Sequence, residues 1–328
     1  MITKNLKLIF LGTPDFAVPF LQALIDNKMR PVLVVSQPDE PVGRKQELKS
    51  PPVKVLAQKF SIPLSQPNTK AGLLKILKEN QPDVCVLVAY GKIINEEALK
   101  IPKFGFVNVH PSLLPKYRGP SPVQTAILNG DKITGATIML IDQKIDHGPI
   151  LSQEKIEILP TDNNQTLHNR IAKISAGLLV ESLTKYLKGG LEPKPQDDSK
   201  ATFTKVIQRS DGQVDWSKSA EQINHQFRAF YPWPGIFSHW GRKRLKIADL
   251  SVLEGDFSLP AESRREKAGP NLKPGEVFLG QNNSLAVRCG QGAIRLERVQ
   301  LEGKKEMSGE EFLRGYKNII GQDLASSV

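Results

Sequence analysis

The run Val84–Val88, Val-Cys-Val-Leu-Val, is apolar at every position and is bracketed by Asp83 and by Ala89-Tyr90-Gly91. A strand with one wet face alternates. A strand with no alternation is buried on both faces, the habit of parallel strands covered by helices. A chain built around such a strand must supply helices for two layers, and this one does. Leu6–Leu11, Leu-Lys-Leu-Ile-Phe-Leu, reads as a second buried strand, followed by the turn Gly12-Thr13-Pro14-Asp15, where Asp15 is a candidate N-cap. Phe16, Phe20, Leu21, Leu24 and Ile25 then fall at helical spacing. Pro31–Val35 reads as the next strand, Pro52–Phe60 as a helix with proline in its first turn, Ile62–Leu64 as a short strand and Leu73–Leu77 as a helix. This order predicts a Rossmann-like, doubly wound, mostly parallel α/β sheet. The first turn holds one glycine where a dinucleotide fingerprint needs three, so a dinucleotide site has poor support.

At 328 residues the chain exceeds one ordinary core, and two domains are expected. Thr134–Ile141 and Ile150–Ile158 read as further strands, the second antiparallel, with the polar loop Asp142–Gly148 between them. An amphipathic helix over Thr166–Leu187 stops at Gly189-Gly190. Leu191–Lys200 is proline-rich, charged and without apolar periodicity, as linkers are. Beyond a short helix at Ala220–Phe230, the runs Phe237–Trp240, Arg244–Leu253, Gly275–Leu279, Ser284–Cys289 and Ala293–Val299 are separated by turn residues. They predict a small C-terminal β-barrel, OB-like in size. The expected division is residues 1–189, a linker over 190–207, and a barrel over 208–328. Gln37–Pro52 has no periodicity and is read as an exposed loop, longer than connections usually run and therefore a candidate for function.

Lys and Arg number 45 against 34 Asp and Glu, a formal charge of +11, which points to an anionic partner such as nucleic acid. The two cysteines, Cys85 and Cys289, make no disulfide framework. No apolar run is long enough to span a membrane, and the N-terminus lacks a signal-peptide pattern, so a cytoplasmic protein is expected. The histidines and cysteines show no zinc-ligand spacing, and Asp142 with Asp146 alone is a weak case for a metal; none is expected.

The chemistry-bearing stretch is Phe106–Gly119, Phe-Val-Asn-Val-His-Pro-Ser-Leu-Leu-Pro-Lys-Tyr-Arg-Gly. Its apolar start reads as the end of a buried strand, and Asn108 and His110, two apart, share one face of it. Pro111, Ser112 and Pro115 then force a rigid loop. The carboxyl edge of an open α/β sheet is where ligands bind. An amide can donate to an oxyanion, an imidazole can hold or move a proton near neutral pH, and a carboxylate such as Asp146 can orient the imidazole. Together they fit attack on a carbonyl carbon through a tetrahedral intermediate. A Ser-His-Asp hydrolase using Ser112 is the alternative, although the G-x-S-x-G elbow is missing.

At these residues the chain resembles the folate-dependent formyltransferases. The likeness runs in order through GTPDFAVP (Gly12–Pro19), QPD and PVGR (Gln37–Arg44), PPVKVLA (Pro51–Ala57), VAYGKI (Val88–Ile93), NVHPSLLPKYRG (Asn108–Gly119), TGATIM (Thr134–Met139), IDQKIDHG (Ile141–Gly148) and AFYPWPG (Ala229–Gly235). The first loop, the Pro-Trp-Pro segment and the C-terminal region narrow the likeness to the members that act on methionyl initiator tRNA. The resemblance implies formyl transfer from 10-formyltetrahydrofolate to the α-amine of that tRNA; nothing in the sequence predicts an oligomer, and a monomer is expected. Asn108, His110 and Asp146 fall on the family's catalytic positions. Ser112, Leu113, Leu114 and Pro115, with Tyr90 and Asp142, fall on folate-contacting ones, and Arg44 and Lys45 on the tRNA-clamping loop. Lys144 stands where the family has glycine, and a left-handed backbone there would strain it. Gln46 and Glu47 stand where lysines are common. A small-amine formyltransferase, a hydrolase with the same centre, and a tRNA-binding protein with a degenerate centre are the other readings.

Overall fold

The computed structural model describes residues 6–42, 47–253 and 272–324. Contacts gather the chain into two units: Met1–Val123, Lys132–Leu159 and Thr166–Lys205 in one, and Gln124–Asp131, Pro160–Gln165 and Val206–Val328 in the other. The elements up to the long helix are, in order, β1 (Leu8–Gly12), α1 (Val18–Asp26), β2 (Leu33–Val35), β3 (Glu40–Val42), β4 (Glu47–Lys49), α2 (Pro52–Lys59), β5 (Leu64–Ser65) and α3 (Lys70–Asn80). Then come β6 (Val84–Val88), α4 (Glu96–Leu99), β7 (Phe106–His110), α5 (Pro122–Leu128), β8 (Ile133–Leu140), β9 (Ile150–Glu157) and α6 (Asn164–Leu187).

The first unit is an α/β sheet of seven strands in the order β5-β2-β1-β6-β7-β8-β9. β1, β2, β5, β6 and β7 pair in parallel, while β8 and β9 add an antiparallel edge. Alternation explains why the central strands carry no polar face. Leu8, Phe10, Val84, Val86 and Val88 pack with α1, α2 and α6, whereas Ile9, Leu11 and Cys85 pack with α3 and α4 on the other side. The unalternated runs are thus two interleaved half-patterns, each buried under its own helix layer. Burial pushes the Cys85 thiol well above its ordinary range.

Three expectations change. Asp15 is not a cap: it is the first residue of a single 3-10 turn, Asp15–Ala17, behind Pro14, with no side-chain cap bond, and α1 starts only at Val18. Gln37–Pro52 is not all loop: β3 and β4 pair antiparallel, Glu40 with Lys49 and Val42 with Glu47. Lys54 and Gln66 bind Asp39 at its base, Lys54 at 2.7 Å. Backbone pairing of this kind leaves no side-chain period to read. Finally, the proline-rich segment after α6 is fastened to the sheet edge. Ile150 and Lys194 exchange two backbone hydrogen bonds of 2.8 Å.

The second unit contains α7 (Ala220–Ala229), β10 (Ile236–Trp240), β11 (Lys243–Leu253), β12 (Val277–Leu279), β13 (Leu285–Arg288), β14 (Ala293–Leu301), β15 (Met307–Ser308) and α8 (Gly309–Gly315). The strands form one antiparallel sheet, β10-β11-β14-β13-β12, with β15 also on β14. The pairing of β11 with β14 shifts register between Ile247 and Asp249 and again between Asp249 and Leu250, the irregularity by which strands of a curled sheet are bent. β15 and α8 were not expected. Their signal was the capping box Ser308-Gly309-Glu310-Glu311, whose reciprocal bonds start α8. Among the described residues no helix is long and apolar enough to cross a membrane.

Candidate active site

β7 lies between β6 and β8, and all five of its residues are buried. The pleat turns Asn108 and His110 to one face. They are 8% and 5% exposed. The Asn108 amide has no side-chain hydrogen bond to any described residue, yet its atoms are not sealed from solvent. It is a held donor with no acceptor among the described residues.

His110 is oriented by a partner that the sequence hid. Its Nε2 lies 2.9 Å from the backbone carbonyl of Tyr117. A carbonyl only accepts, so Nε2 carries the proton of that bond. Nδ1 therefore faces Asp146, whose Oδ1 is 3.6 Å away, long for a direct hydrogen bond. The other carboxylate oxygen of Asp146 accepts from the Gly119 amide at 2.8 Å. The left-handed backbone of this loop is at Asp146 itself, φ 48°, and Lys144 is not among the positive-φ residues. The strain expected at Lys144 is therefore absent, and the left-handed residue of the loop is the candidate catalytic Asp146. Lys144 donates its amide to Asp142 Oδ1 at 2.9 Å, closing an Asx turn. Gly148 is required for a different reason: a Cβ there would sit 2.0 Å from the Leu140 carbonyl oxygen.

The loop after β7 is braced from below. Thr137 on β8 donates to the Ser112 carbonyl at 2.7 Å and accepts from the Leu114 amide, and Gln153 on β9 donates to the Leu114 carbonyl at 2.8 Å. Ser112 is fully buried and its hydroxyl donates to the Lys116 carbonyl at 2.6 Å. That hydroxyl is committed to the loop, which removes the Ser-His-Asp hydrolase reading. Leu114 is buried as well, whereas Leu113 and Pro115 keep some exposure. Tyr90 is fully buried among Ile9, Leu11, Cys85 and Phe106, its hydroxyl has no partner among the described residues, and burial pushes its phenol up to about 12. Its outward group is the carbonyl, which accepts from Thr13 and Gln37. Asp142 is turned into its own loop, pairing with His147. Arg44 and Lys45 lie outside the described residues.

Four further residues sequence reasoning passed over complete the surroundings. Arg118, 4% exposed, donates to Gln196 Oε1 and to Asp198 Oδ1, the latter at 2.7 Å. Asp198 also faces His147 Nε2 at 3.3 Å, and the Arg118 guanidinium holds its carboxyl below the usual range. Gln196 and Asp198 come from the segment read as a linker, where composition masked them. Among the described residues no group of three or more His, Cys, Asp or Glu is arranged to hold a metal ion. The centre offers an uncommitted amide, an oriented imidazole and a carboxylate, a set suited to polarising a carbonyl and moving one proton.

The chain is similar to proteins already known. The formyl transferase family model matches residues 6–183, and the model of the formyl transferase C-terminal domain matches 206–317. A methionyl-tRNA formyltransferase of Thermodesulfovibrio yellowstonii is 41% identical over 318 residues, covering 96% of this chain and 98% of its own. One from Caldicellulosiruptor saccharolyticus is 41% identical over 316 residues, covering 95% and 97%. The fold is similar to that of an N-formyltransferase from Helicobacter canadensis in complex with folinic acid and dTDP-3-aminofucose. That match has a TM-score of 0.65 at 19% identity and covers 89% of this chain and 99% of that one.

Proposed function

The chain belongs to the formyl transferase family, and from that premise we propose that it transfers a formyl group from 10-formyltetrahydrofolate to the α-amine of methionyl initiator tRNA. The observation that carries the reading is the Asn108 amide, fixed in a core strand beside His110 with no side-chain hydrogen bond to any described residue. The formyl group presents one carbonyl oxygen, and the donor waiting for it is neutral, so it stabilises charge only as charge develops.

In this reading the amine attacks the formyl carbon, and Asn108 donates to the oxygen of the resulting tetrahedral intermediate. His110, with Nε2 engaged by Tyr117, presents Nδ1 to the reacting group; protonated, it adds a second donor. Asp146 Oδ1, 3.6 Å from that nitrogen, takes the amine proton through a water, and the same proton is passed on to the folate nitrogen as its bond to the formyl carbon breaks. The residues fit a folate substrate in a particular way. Ser112 and Leu114 stiffen the wall, and Leu113 and Pro115 are the parts of it open to contact. Tyr90 contributes through its main chain, and Asp142 by fixing the loop that bears Asp146.

Residues 1–189 are proposed to carry the chemistry, 190–207 to connect, and 208–328 to bind tRNA as a small OB-like barrel. The register shift in β11 supports a curled sheet there, and the basic excess, which belongs to the chain as a whole, supports a nucleic-acid partner. Arg44 and Lys45 are assigned to phosphates of the acceptor stem. The protein is proposed to act as a cytoplasmic monomer. An acceptor panel tests the function. Charged initiator tRNA should be formylated, and an amino-sugar nucleotide should not. Formate release without a formylated acceptor would instead identify a hydrolase.

A further inference from the structure

We propose that Gln196 is a positioning residue for Asp146, so that the proline-rich segment after α6 is a working part of the active centre and not only a connection. The proposal rests on the reading of Asp146 as part of the reacting group. Asp146 has two unusual demands: its backbone is left-handed at φ 48°, and its carboxylate must stay beside His110 Nδ1. Among the described residues the carboxylate is held by one bond, from the Gly119 amide at 2.8 Å. The backbone is held by Gln196, whose Nε2 donates at 2.8 Å to both the Asp146 and Gly148 carbonyls.

The amide orientation is not arbitrary. Both loop carbonyls can only accept, and the Arg118 guanidinium can only donate, so Nε2 must face the loop and Oε1 must face Arg118. Oε1 accepts from Arg118 Nε at 3.1 Å and from Nη2 at 2.9 Å. Arg118 in turn is buried and answered by Asp198 at 2.7 Å. Its neighbour Gly119 is the residue that binds the Asp146 carboxylate. Residues 118–119 and Gln196 therefore grip Asp146 from the side-chain and backbone sides at once. The segment is itself secured here, since Arg118 donates its amide to the Thr202 carbonyl at 2.8 Å and accepts from the Thr204 amide at 2.8 Å. The position requires two donors and one acceptor in a plane, which glutamine supplies and glutamate does not.

Gln196→Glu is the discriminating change. It keeps the oxygen that binds Arg118, and with it the strap, but replaces the two donors by an oxygen turned toward two carbonyls. Misplacing a reacting group by a fraction of an ångström to one ångström lowers turnover by on the order of 10- to 100-fold. The expected result is a fall in kcat of about tenfold or more, with KM for formylated folate and the melting temperature little changed and the pH profile of kcat displaced. In an Asp146→Asn background the same change should cost almost nothing further, because Gln196 acts through Asp146. Effects that multiply, or a Gln196→Glu enzyme with full kcat beside a crippled Asp146→Asn enzyme, would overturn the positioning role alone. Full activity in Asp146→Asn would instead overturn the assignment of Asp146. If Gln196→Glu fails to fold, Arg118→Lys keeps the charge for Asp198 and weakens the grip on Gln196. It should show the same loss in kcat without change in KM, and an unchanged kcat there would overturn the proposal.

Discussion

Asp146 is held in a backbone region that costs a non-glycine residue roughly 1–3 kcal/mol, a cost that surrounding bonds must offset. Asn108 is the opposite case: its amide stabilises nothing in the described protein, so its loss should appear in catalysis and not in folding. Asn108→Ala is predicted to lower kcat/KM by about a hundredfold or more while leaving the melting temperature nearly unchanged. Steady-state kinetics and a thermal melt on one preparation decide it. Asn108 and His110 were legible because a strand has a period of two, and two polar residues at that spacing in an apolar run declare a common face. The Tyr117 carbonyl was not legible, because a backbone acceptor leaves no residue type behind. Lys144 misdirected the reading for a related reason. A glycine that is replaced does not show by itself that its position is left-handed, and here the left-handed residue is Asp146.

The Asp142–Gly148 loop depends on one close approach. Gly148→Ala would place a methyl 2.0 Å from the Leu140 carbonyl oxygen, within β8 and so unable to yield cheaply. It is predicted to destabilise the protein by about 1–3 kcal/mol and to lose turnover as the loop shifts, as urea titration and kinetics would show. Helix α6 carries a second, independent signature. His168 stacks on Phe16, ring centroids 4.5 Å apart, and burial pushes its pKa down to about 4 from 6.5. Between those values the unfolded chain binds more protons than the folded one, so stability is whole above pH 6.5 and falls as the pH drops toward 4. The predicted loss by pH 4.5 is on the order of 2 kcal/mol, and His168→Phe should flatten that part of the curve in urea unfolding at pH 7 and 4.5. Most helices and strands could be read from periodicity because each buries one stripe or two faces. The β3–β4 pair and the fastening of residues 190–205 could not, since both depend on backbone bonds and single long-range side-chain contacts.

At the scale of the whole molecule, an excess of eleven positive charges meets a function that needs a polyanion. Binding of charged initiator tRNA should weaken linearly in log–log form as salt rises, and Arg44→Ala should reduce that slope by about one if the loop touches a phosphate. A slope identical to wild type would remove Arg44 from the interface. Fold class was legible from the order of buried strands and helices, and the C-terminal sheet from five short runs between turn residues. Its sixth strand lay below what a two-residue pairing can announce. The central claim, that the centre built from Asn108, His110 and Asp146 moves a formyl group onto methionyl initiator tRNA, is met most directly by following a labelled formyl group from 10-formyltetrahydrofolate. The account predicts that the label appears on the methionyl amine with the wild-type enzyme and at least about a hundredfold more slowly with Asn108→Ala. Label released as formate, or transferred equally fast by both proteins, would contradict it.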